Sequence, residues 1–125
     1  MNKKMPVTDS ELEVLKELWA CPSLTARQLT DQLLKRTDWS EPTIKTLLLR
    51  LLQKKAVVRS RSGKVFVYTA SITQEEYCYQ AGRSLLDRLF NGVAGDFLTC
   101  LVRHEKMSPE EIESLKQLLD KAGKK

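Results

Sequence analysis

The stretch SEPTIKTLLLRLLQKKAVVRSRSGKVFVYTA, residues 40–70, decides the fold. Its first half has apolar residues at helical spacing behind a Ser-Glu-Pro-Thr opening, which predicts a helix capped by Ser40 and running to about Lys55. Its second half alternates and is rich in Val, Phe and Tyr, which predicts strands over Val57–Arg61 and Lys64–Ala70. Between them, Ser62-Gly63 is predicted as a two-residue turn in which the glycine takes a positive φ.

The same stretch is strongly basic, with one acid, Glu41, among its charged residues. Its basic residues are Lys45, Arg50, Lys54, Lys55, Arg59, Arg61 and Lys64. The chain has a net charge of +5, but residues 1–70 hold 13 basic and 7 acidic residues, and residues 71–125 hold 8 and 9. All the excess positive charge therefore lies in the first part. A helix and a hairpin that share a basic face suit a DNA groove and its flanking phosphates.

Length and composition limit the class of protein. The 125 residues, 42% of them hydrophobic, suffice for one domain or for two small ones that depend on a partner. No apolar run has the length of a membrane span and no signal-peptide stretch opens the chain, so we expect a cytoplasmic protein without a membrane partner. Cys21, Cys78 and Cys100 stand alone, which favours small buried hydrophobes over a disulfide framework and leaves redox sensing or metal binding as the alternative.

Capping boxes mark four helix starts: Thr8–Glu11, Thr25–Gln28, Thr73–Glu76 and Ser108–Glu111. Besides the helix after Ser40, apolar spacing predicts helices over about Asp9–Ala20, Ala26–Arg36, Gln74–Asn91, Ala94–Glu105 and Pro109–Lys121. In the second of these, Leu29, Leu33 and Leu34 are expected to face inward. Leu24 is a candidate third strand, and Gly92 a candidate helix C-cap. The predicted fold is mainly α with a small β-hairpin: a winged helix-turn-helix domain over residues 7–71, followed by an all-helical region over residues 73–122.

The helix after Ser40 has two distinct faces at about 100° per residue. Its apolar face holds Ile44, Leu47, Leu48, Leu51 and Leu52, and its opposite side holds Pro42, Thr43, Lys45, Thr46, Leu49, Arg50 and Gln53. Arg50 can pair with guanine or a phosphate, and Thr43 and Thr46 can contact thymine methyls or donate hydrogen bonds. Ser40 and the first helical amides can hold a phosphate. The alternative is an ordinary solvated surface.

The hairpin adds Arg59, Arg61 and Lys64 near its tip, where we expect contacts with phosphates or the minor groove. Edge-strand charges that prevent sheet aggregation are an equally physical explanation, and the two roles are compatible.

At Ser40–Lys55 the sequence resembles the helix 3 signature of the BlaI/MecI/CopY repressors, the penicillinase and copper-responsive transcriptional repressors. Thr8–Trp19 is similar to the family's opening helix, and Phe66-Val-Tyr68 falls where the family has an aromatic second wing strand. The resemblance spans about Val7–Leu119. It implies a winged-helix repressor that binds inverted-repeat operator DNA as a homodimer, with Thr43, Lys45, Thr46 and Arg50 at the positions of DNA contacts.

The chain departs from the family pattern at several places. Pro42 and Leu49 replace residues that are often polar, basic or small. The Cys-x-Cys motifs that bind metal in copper-responsive members are missing, so no metal site or cofactor is expected. Where β-lactam-responsive members have a cleaved Asn-Phe bond, Cys100-Leu101 stands instead. A sensor protease stays open as a partner.

The helical region is too small to bury a good core alone, so we expect it to form the dimer. The residues predicted for this contact are Tyr77, Ala81, Leu85, Leu86, Leu89, Phe90, Phe97, Leu101, Ile112, Leu115 and Leu119. The alternative is that these helices fold back on their own winged domain.

An enzyme is not favoured, because the only histidine, His104, stands four residues after Cys100 without a recognisable catalytic set. The remaining alternative is a winged-helix module for protein–protein contact without specific DNA binding.

Overall fold

Helices and short strands follow one another along residues 6–123, the part of the chain that the computed structural model describes. Their order is α1 (Asp9–Ala20), β1 (Leu24–Thr25), α2 (Ala26–Arg36), α3 (Glu41–Gln53), β2 (Val57–Ser62), β3 (Val65–Ala70), α4 (Gln74–Leu89), α5 (Ala94–His104) and α6 (Pro109–Gly123). The chain divides into two compact units at Tyr79/Gln80, within α4. The fold is mainly helical with a small antiparallel sheet, as predicted.

All four predicted capping boxes are present. In each, the hydroxyl accepts a hydrogen bond from the amide three residues on, and the acidic or amide side chain at that position accepts one from the cap amide. These reciprocal bonds satisfy amides that a helix start leaves without partners. They explain why α1, α2, α4 and α6 begin at the predicted residues.

The core of the first unit lies between α1, α2, α3 and the sheet. Its buried members are Val14, Leu15, Leu18, Leu24, Leu29, Leu33, Ile44, Leu47, Leu48, Leu51, Ala56, Val57 and Tyr68. The prediction for Leu34 is wrong, because its side chain is 37% exposed whereas Thr30 is buried. Leu34 lies beyond Thr30 at the margin of the inward face of α2.

Helix α3 ends two residues before its predicted end. Lys55 adopts a left-handed φ of 64°. The amide of Ala56 donates to the carbonyl of Leu51 over 3.0 Å, and that of Lys55 donates to Leu52 over 3.1 Å. This is the Schellman pattern, which usually has glycine where Lys55 stands. Without that glycine, the sequence had no stop signal.

The three strands form an antiparallel sheet in the order β1-β3-β2, which confirms Leu24 as part of a third strand. The predicted turn is shifted by one residue. Ser62 pairs with Val65, so the turn consists of Gly63 and Lys64. Gly63 has a φ of 66° and Lys64 has no positive φ, as in type II′ turns, which place glycine at the first central position. Lys64 therefore belongs to the tip of the hairpin rather than to β3.

Trp19 ties the segment after the sheet to α1. Its indole Nε1 donates a hydrogen bond of 2.9 Å to the carbonyl of Ile72. Its ring lies 5.7 Å from that of Tyr77, on the first turns of α4. Burial raises the pKa of Tyr77, and the nearby charge of Asp9 adds to that effect. The first unit thus includes the start of α4.

The second unit is helical, and α4, α5 and α6 contain no buried residue. Helix α4 ends at Leu89 rather than at Asn91, because Asn91 and Gly92 both adopt positive φ. The amide of Gly92 donates to the carbonyl of Leu86 over 2.8 Å, but Asn91, rather than the predicted Gly92, is the first left-handed residue after the helix and so occupies the cap position. Phe90 and Phe97 pack with their ring centroids 5.4 Å apart. Within residues 6–123, no helix is both long and apolar enough to span a membrane.

Candidate nucleic-acid interface

Helix α3 presents one face to the core and the other to solvent, as its sequence predicts. Ile44, Leu47, Leu48 and Leu51 are buried. The outer side exposes every residue predicted as a base reader, namely Thr43, Lys45, Thr46, Leu49 and Arg50. Leu49 is 57% exposed although its side chain is apolar.

Ser40 organises the start of α3. Its hydroxyl accepts a hydrogen bond from the amide of Thr43 at 3.4 Å and lies 3.1 Å from the Thr43 hydroxyl. Both residues are exposed. The cap therefore places two hydroxyls beside the free amides of the first helical turn, where a phosphate oxygen could be bound.

The basic side chains of the first unit fall into two groups. On α1 and α2, Lys16, Arg27 and Arg36 pair with carboxylates at 2.5–3.4 Å, and Lys35 is the one basic residue of these two helices without such a pair among the described residues. The one acid of residues 40–70, Glu41, lies 3.4 Å from Arg27 of α2. By contrast, within residues 6–123 the basic residues of α3 and the hairpin predicted to bind DNA have no carboxylate partner: Lys45, Arg50, Arg59, Arg61 and Lys64. Unneutralised positive charge is thus concentrated on these two elements.

Lys54 does not belong to this surface, contrary to the expectation from its place in the basic stretch. Its Nζ lies 2.5 Å from Glu11 Oε1 and donates to the carbonyl of Pro6 over 2.7 Å. Burial alone would raise the pKa of the Glu11 carboxyl. The hydrogen bonds from Lys54 and the Thr8 amide, together with the positive charges of Lys54 and Arg50, outweigh burial and hold that pKa below 4.5. The pair joins the C-terminal end of α3 to the start of α1.

The hairpin gathers Arg59 and Arg61 around one aromatic ring. The guanidinium carbon of Arg59 lies 4.3 Å from the centroid of Phe66, and that of Arg61 lies 5.2 Å from it. All three side chains are exposed. Both arginines were predicted from the sequence, but their contact with Phe66 was not. The alternation of the two strands could have indicated this contact, because residues opposite each other in a hairpin share a face of the sheet.

The second unit exposes a broad apolar surface. Among the residues predicted for dimerisation, Ala81, Leu89, Ile112 and Leu119 are exposed, and Leu85, Leu86, Phe90, Phe97, Leu101 and Leu115 are half-buried. Tyr77 stands apart from them, against Trp19 in the first unit. An apolar groove of about 320 Å³ runs between α5 and α6 and includes Leu98, Val102 and Met107. Met107 was not predicted, because it lies in the connection between the helices.

The cysteines and His104 form no site. Cys21 packs against the core, but Cys78 and Cys100 are exposed, contrary to the expectation of burial. His104 Nδ1 lies 3.0 Å from the backbone carbonyl of Cys100, not from its thiol. Nowhere in the described part of the chain do three His, Cys, Asp or Glu side chains meet in a way that could hold a metal ion.

Comparison with known proteins places these features in a family. A family model described as penicillinase repressor matches residues 7–121. The penicillinase repressor of Bacillus licheniformis is 37% identical over 119 residues, covering 94% of this chain and 93% of that protein. The methicillin resistance regulatory protein MecI of Staphylococcus aureus strain N315 is 27% identical over 120 residues, covering 96% of this chain and 98% of that protein.

Solved structures agree with the fold. The DNA-binding domain of the repressor BlaI is 40% identical, with a TM-score of 0.55, and covers 62% of this chain and 94% of its own. The same values apply to the monomeric form of Bacillus licheniformis BlaI in complex with the blaP half-operator. The transcription regulator MepR of Staphylococcus aureus is 24% identical with a TM-score of 0.51, covers 93% of this chain and 77% of its own, and is similar in fold alone.

Proposed function

The chain belongs to the penicillinase repressor family, and we propose that it represses transcription as a homodimer bound to an inverted-repeat operator. The observation that carries the proposal is the division of basic side chains in the first unit. Within residues 6–123, three of the four basic residues of α1 and α2 (Lys16, Arg27 and Arg36, but not Lys35) are paired with carboxylates, whereas Lys45, Arg50, Arg59, Arg61 and Lys64 are not. An unneutralised basic surface on a helix and a hairpin fits double-stranded DNA.

Helix α3 supplies the sequence readers. It enters the major groove with Thr43, Lys45, Thr46, Leu49 and Arg50 toward the base edges. Arg50 can offer two donors to one guanine, and Leu49 offers an apolar contact to a thymine methyl. The Ser40 hydroxyl and the neighbouring amides bind a phosphate, which fixes how deep the helix lies in the groove.

The hairpin supplies affinity rather than sequence information. Arg59, Arg61 and Lys64 lie along and at the tip of β2–β3, and all are exposed. They bind the DNA backbone beside the major groove that α3 occupies. Such contacts release counterions, so they strengthen binding to any sequence and make it sensitive to salt.

The helical region forms the dimer. We assign residues 7–71 to DNA binding and residues 73–122 to dimerisation, with Tyr77 as an anchor of α4 on the first unit in addition to its predicted contact. Support comes from the many apolar side chains of α4–α6, none of which is buried within the chain. A two-fold axis between two copies matches an inverted repeat. A sensor protease is a further proposed partner on family resemblance alone, and Cys100-Leu101 would not supply the bond cleaved in relatives.

Selection from a random duplex library with the full chain tests this function. The proposal predicts enrichment of one motif with two-fold symmetry, its half-sites about one helical turn or more apart. Enrichment of a single unsymmetrical half-site would contradict the dimer but keep DNA recognition. Failure to enrich any motif would favour the winged-helix module for protein–protein contact.

A further inference from the structure

Phe66 lies at the centre of the basic side of the hairpin. It is directly opposite Arg61 in the β2–β3 register, and Arg59 lies two residues before Arg61 on the same face of the strand. The guanidinium carbons are 4.3 Å and 5.2 Å from the ring centroid, within the range of a cation–π contact. One ring therefore contacts two cations.

The ring is not needed to fill the core. Phe66 is 37% exposed, whereas Tyr68, two residues further along the same face, is 8% exposed and belongs to the buried cluster. Phe66 thus lies where the face of the hairpin emerges from the core, and its neighbours on that face are the two arginines.

The contact leaves the hydrogen-bonding capacity of both arginines free. Within residues 6–123, neither guanidinium makes a hydrogen bond or an ion pair. A guanidinium attracted by an aromatic ring keeps its N–H donors for an acceptor such as a phosphate. Two long side chains held by one ring also lose less rotamer freedom on binding than two unrestrained ones.

We propose that Phe66 is a positioning residue: its ring holds the Arg59 and Arg61 guanidinium groups side by side so that they bind the DNA backbone as a pair. This rests on the proposed function, in that the hairpin contacts DNA. Phe66 acts through the arginines and makes no base contact of its own.

The test measures the affinity of four proteins for the library-selected DNA and for a scrambled duplex. The proteins are the wild type, Phe66→Leu, the double variant Arg59→Ala/Arg61→Ala and the triple variant that combines all three changes. Phe66→Leu is expected to weaken binding about two- to five-fold on both duplexes, the size of an exposed cation–π contact expressed as affinity. In the double-alanine background the same change has no further effect. Phe66→Trp retains wild-type affinity, and Val65→Ala, on the opposite face of β3, is the matched control.

Thermal unfolding of each variant separates positioning from loss of the hairpin, because Phe66→Leu is expected to remain folded at the assay temperature. If Phe66→Leu weakened DNA binding equally in the wild type and in the Arg59→Ala/Arg61→Ala variant, the proposal would be overturned, and Phe66 would be a direct DNA contact or a structural residue. Wild-type affinity of Phe66→Leu would overturn it as well. Absence of DNA binding by the wild type would instead overturn the proposed function, and this inference with it.

Discussion

Arg50 is the side chain on which the proposed sequence recognition depends most. It is exposed on α3, has no carboxylate partner among the described residues, and lies one helical turn after Thr46. Its guanidinium group can donate two hydrogen bonds to the acceptor atoms of one guanine. A base contact by Arg50 would strengthen binding to the selected sequence only, whereas a phosphate contact would strengthen binding to any sequence. The two roles can therefore be distinguished by measurement.

Arg50→Ala is predicted to weaken binding to the selected DNA by about 1–3 kcal/mol and to leave binding to scrambled DNA nearly unchanged. Competition binding with both duplexes measures the two values. Lys16→Ala is the control, because it removes the same charge from a residue already paired with Glu13 at 3.3 Å. Equal losses on both duplexes would make Arg50 a phosphate contact.

Glu11 is the second residue whose role the structure defines. It is 1% exposed, its Oε1 receives Lys54 and the Thr8 amide, and its Oε2 has no partner. A buried carboxylate is tolerated only where a cation compensates it. Glu11→Gln keeps a residue suited to the capping box but leaves Lys54 without its anion, and should cost about 3 kcal/mol of unfolding free energy near neutral pH.

The pH dependence of this cost follows from the lowered pKa of Glu11. As pH falls, the unfolded chain takes up the proton near 4.5, and the folded chain does so only at lower pH. The stabilisation is therefore complete above 4.5 and is lost as pH falls through the folded-state pKa. Urea unfolding of wild type and Glu11→Gln should give a stability difference that narrows below that pH. A difference that is constant or widens there would contradict the role of the ion pair.

Among the elements, α3 and the hairpin are joined by a tight corner that depends on Lys55. A left-handed φ of 64° is unfavourable for any residue with a Cβ, and glycine adopts it freely. Lys55→Gly is predicted to stabilise the protein by about 0.5–1 kcal/mol, measured by urea unfolding. Lys64→Gly, at a turn position without positive φ, should be neutral or destabilising. Loss of stability in Lys55→Gly would contradict the Schellman ending of α3.

The segment between β3 and α4 depends on the indole of Trp19. Trp19→Phe keeps most of the ring but removes the donor to the Ile72 carbonyl, and should cost about 1 kcal/mol of unfolding free energy. Trp39→Phe is the matched control, because the indole of this half-buried residue makes no hydrogen bond within residues 6–123. Equal costs for the two substitutions would contradict a specific role of the Trp19 bond.

Element starts were easier to predict than element ends, for a physical reason. A Ser or Thr followed three residues later by Glu or Gln indicates the hydrogen bonds that begin a helix, and all four such pairs form these bonds. The end of α3 depends on a lysine in a conformation typical of glycine, and the hairpin turn depends on strand register. Pairing of Lys54 with Glu11, residues far apart in sequence, leaves no local signal. The exposure of the proposed base readers was predictable because helical periodicity alone separates the faces of α3.

At the scale of the whole molecule, the helical region has an apolar surface that it does not bury. Leu119 is 59% exposed beside the groove between α5 and α6. Leu119→Asp is predicted to shift sedimentation from dimer to monomer at micromolar concentration, because a charge at a packed interface is costly. Leu34→Asp, at an exposed leucine of the first unit, should leave the oligomeric state unchanged. A wild type that sediments as a monomer would contradict the dimer.

The unneutralised basic surface of α3 and the hairpin is proposed to bind DNA in a sequence-specific way. The most direct measurement is the affinity of the full chain for the selected duplex and a scrambled one across a range of salt concentrations. We predict that the selected duplex binds about a thousand-fold or more tightly than the scrambled one. Affinity should fall steeply with salt, since each phosphate contact contributes a slope of about −0.9 in log affinity against log salt. Equal affinity for both duplexes, or affinity that scarcely changes with salt, would contradict the proposal.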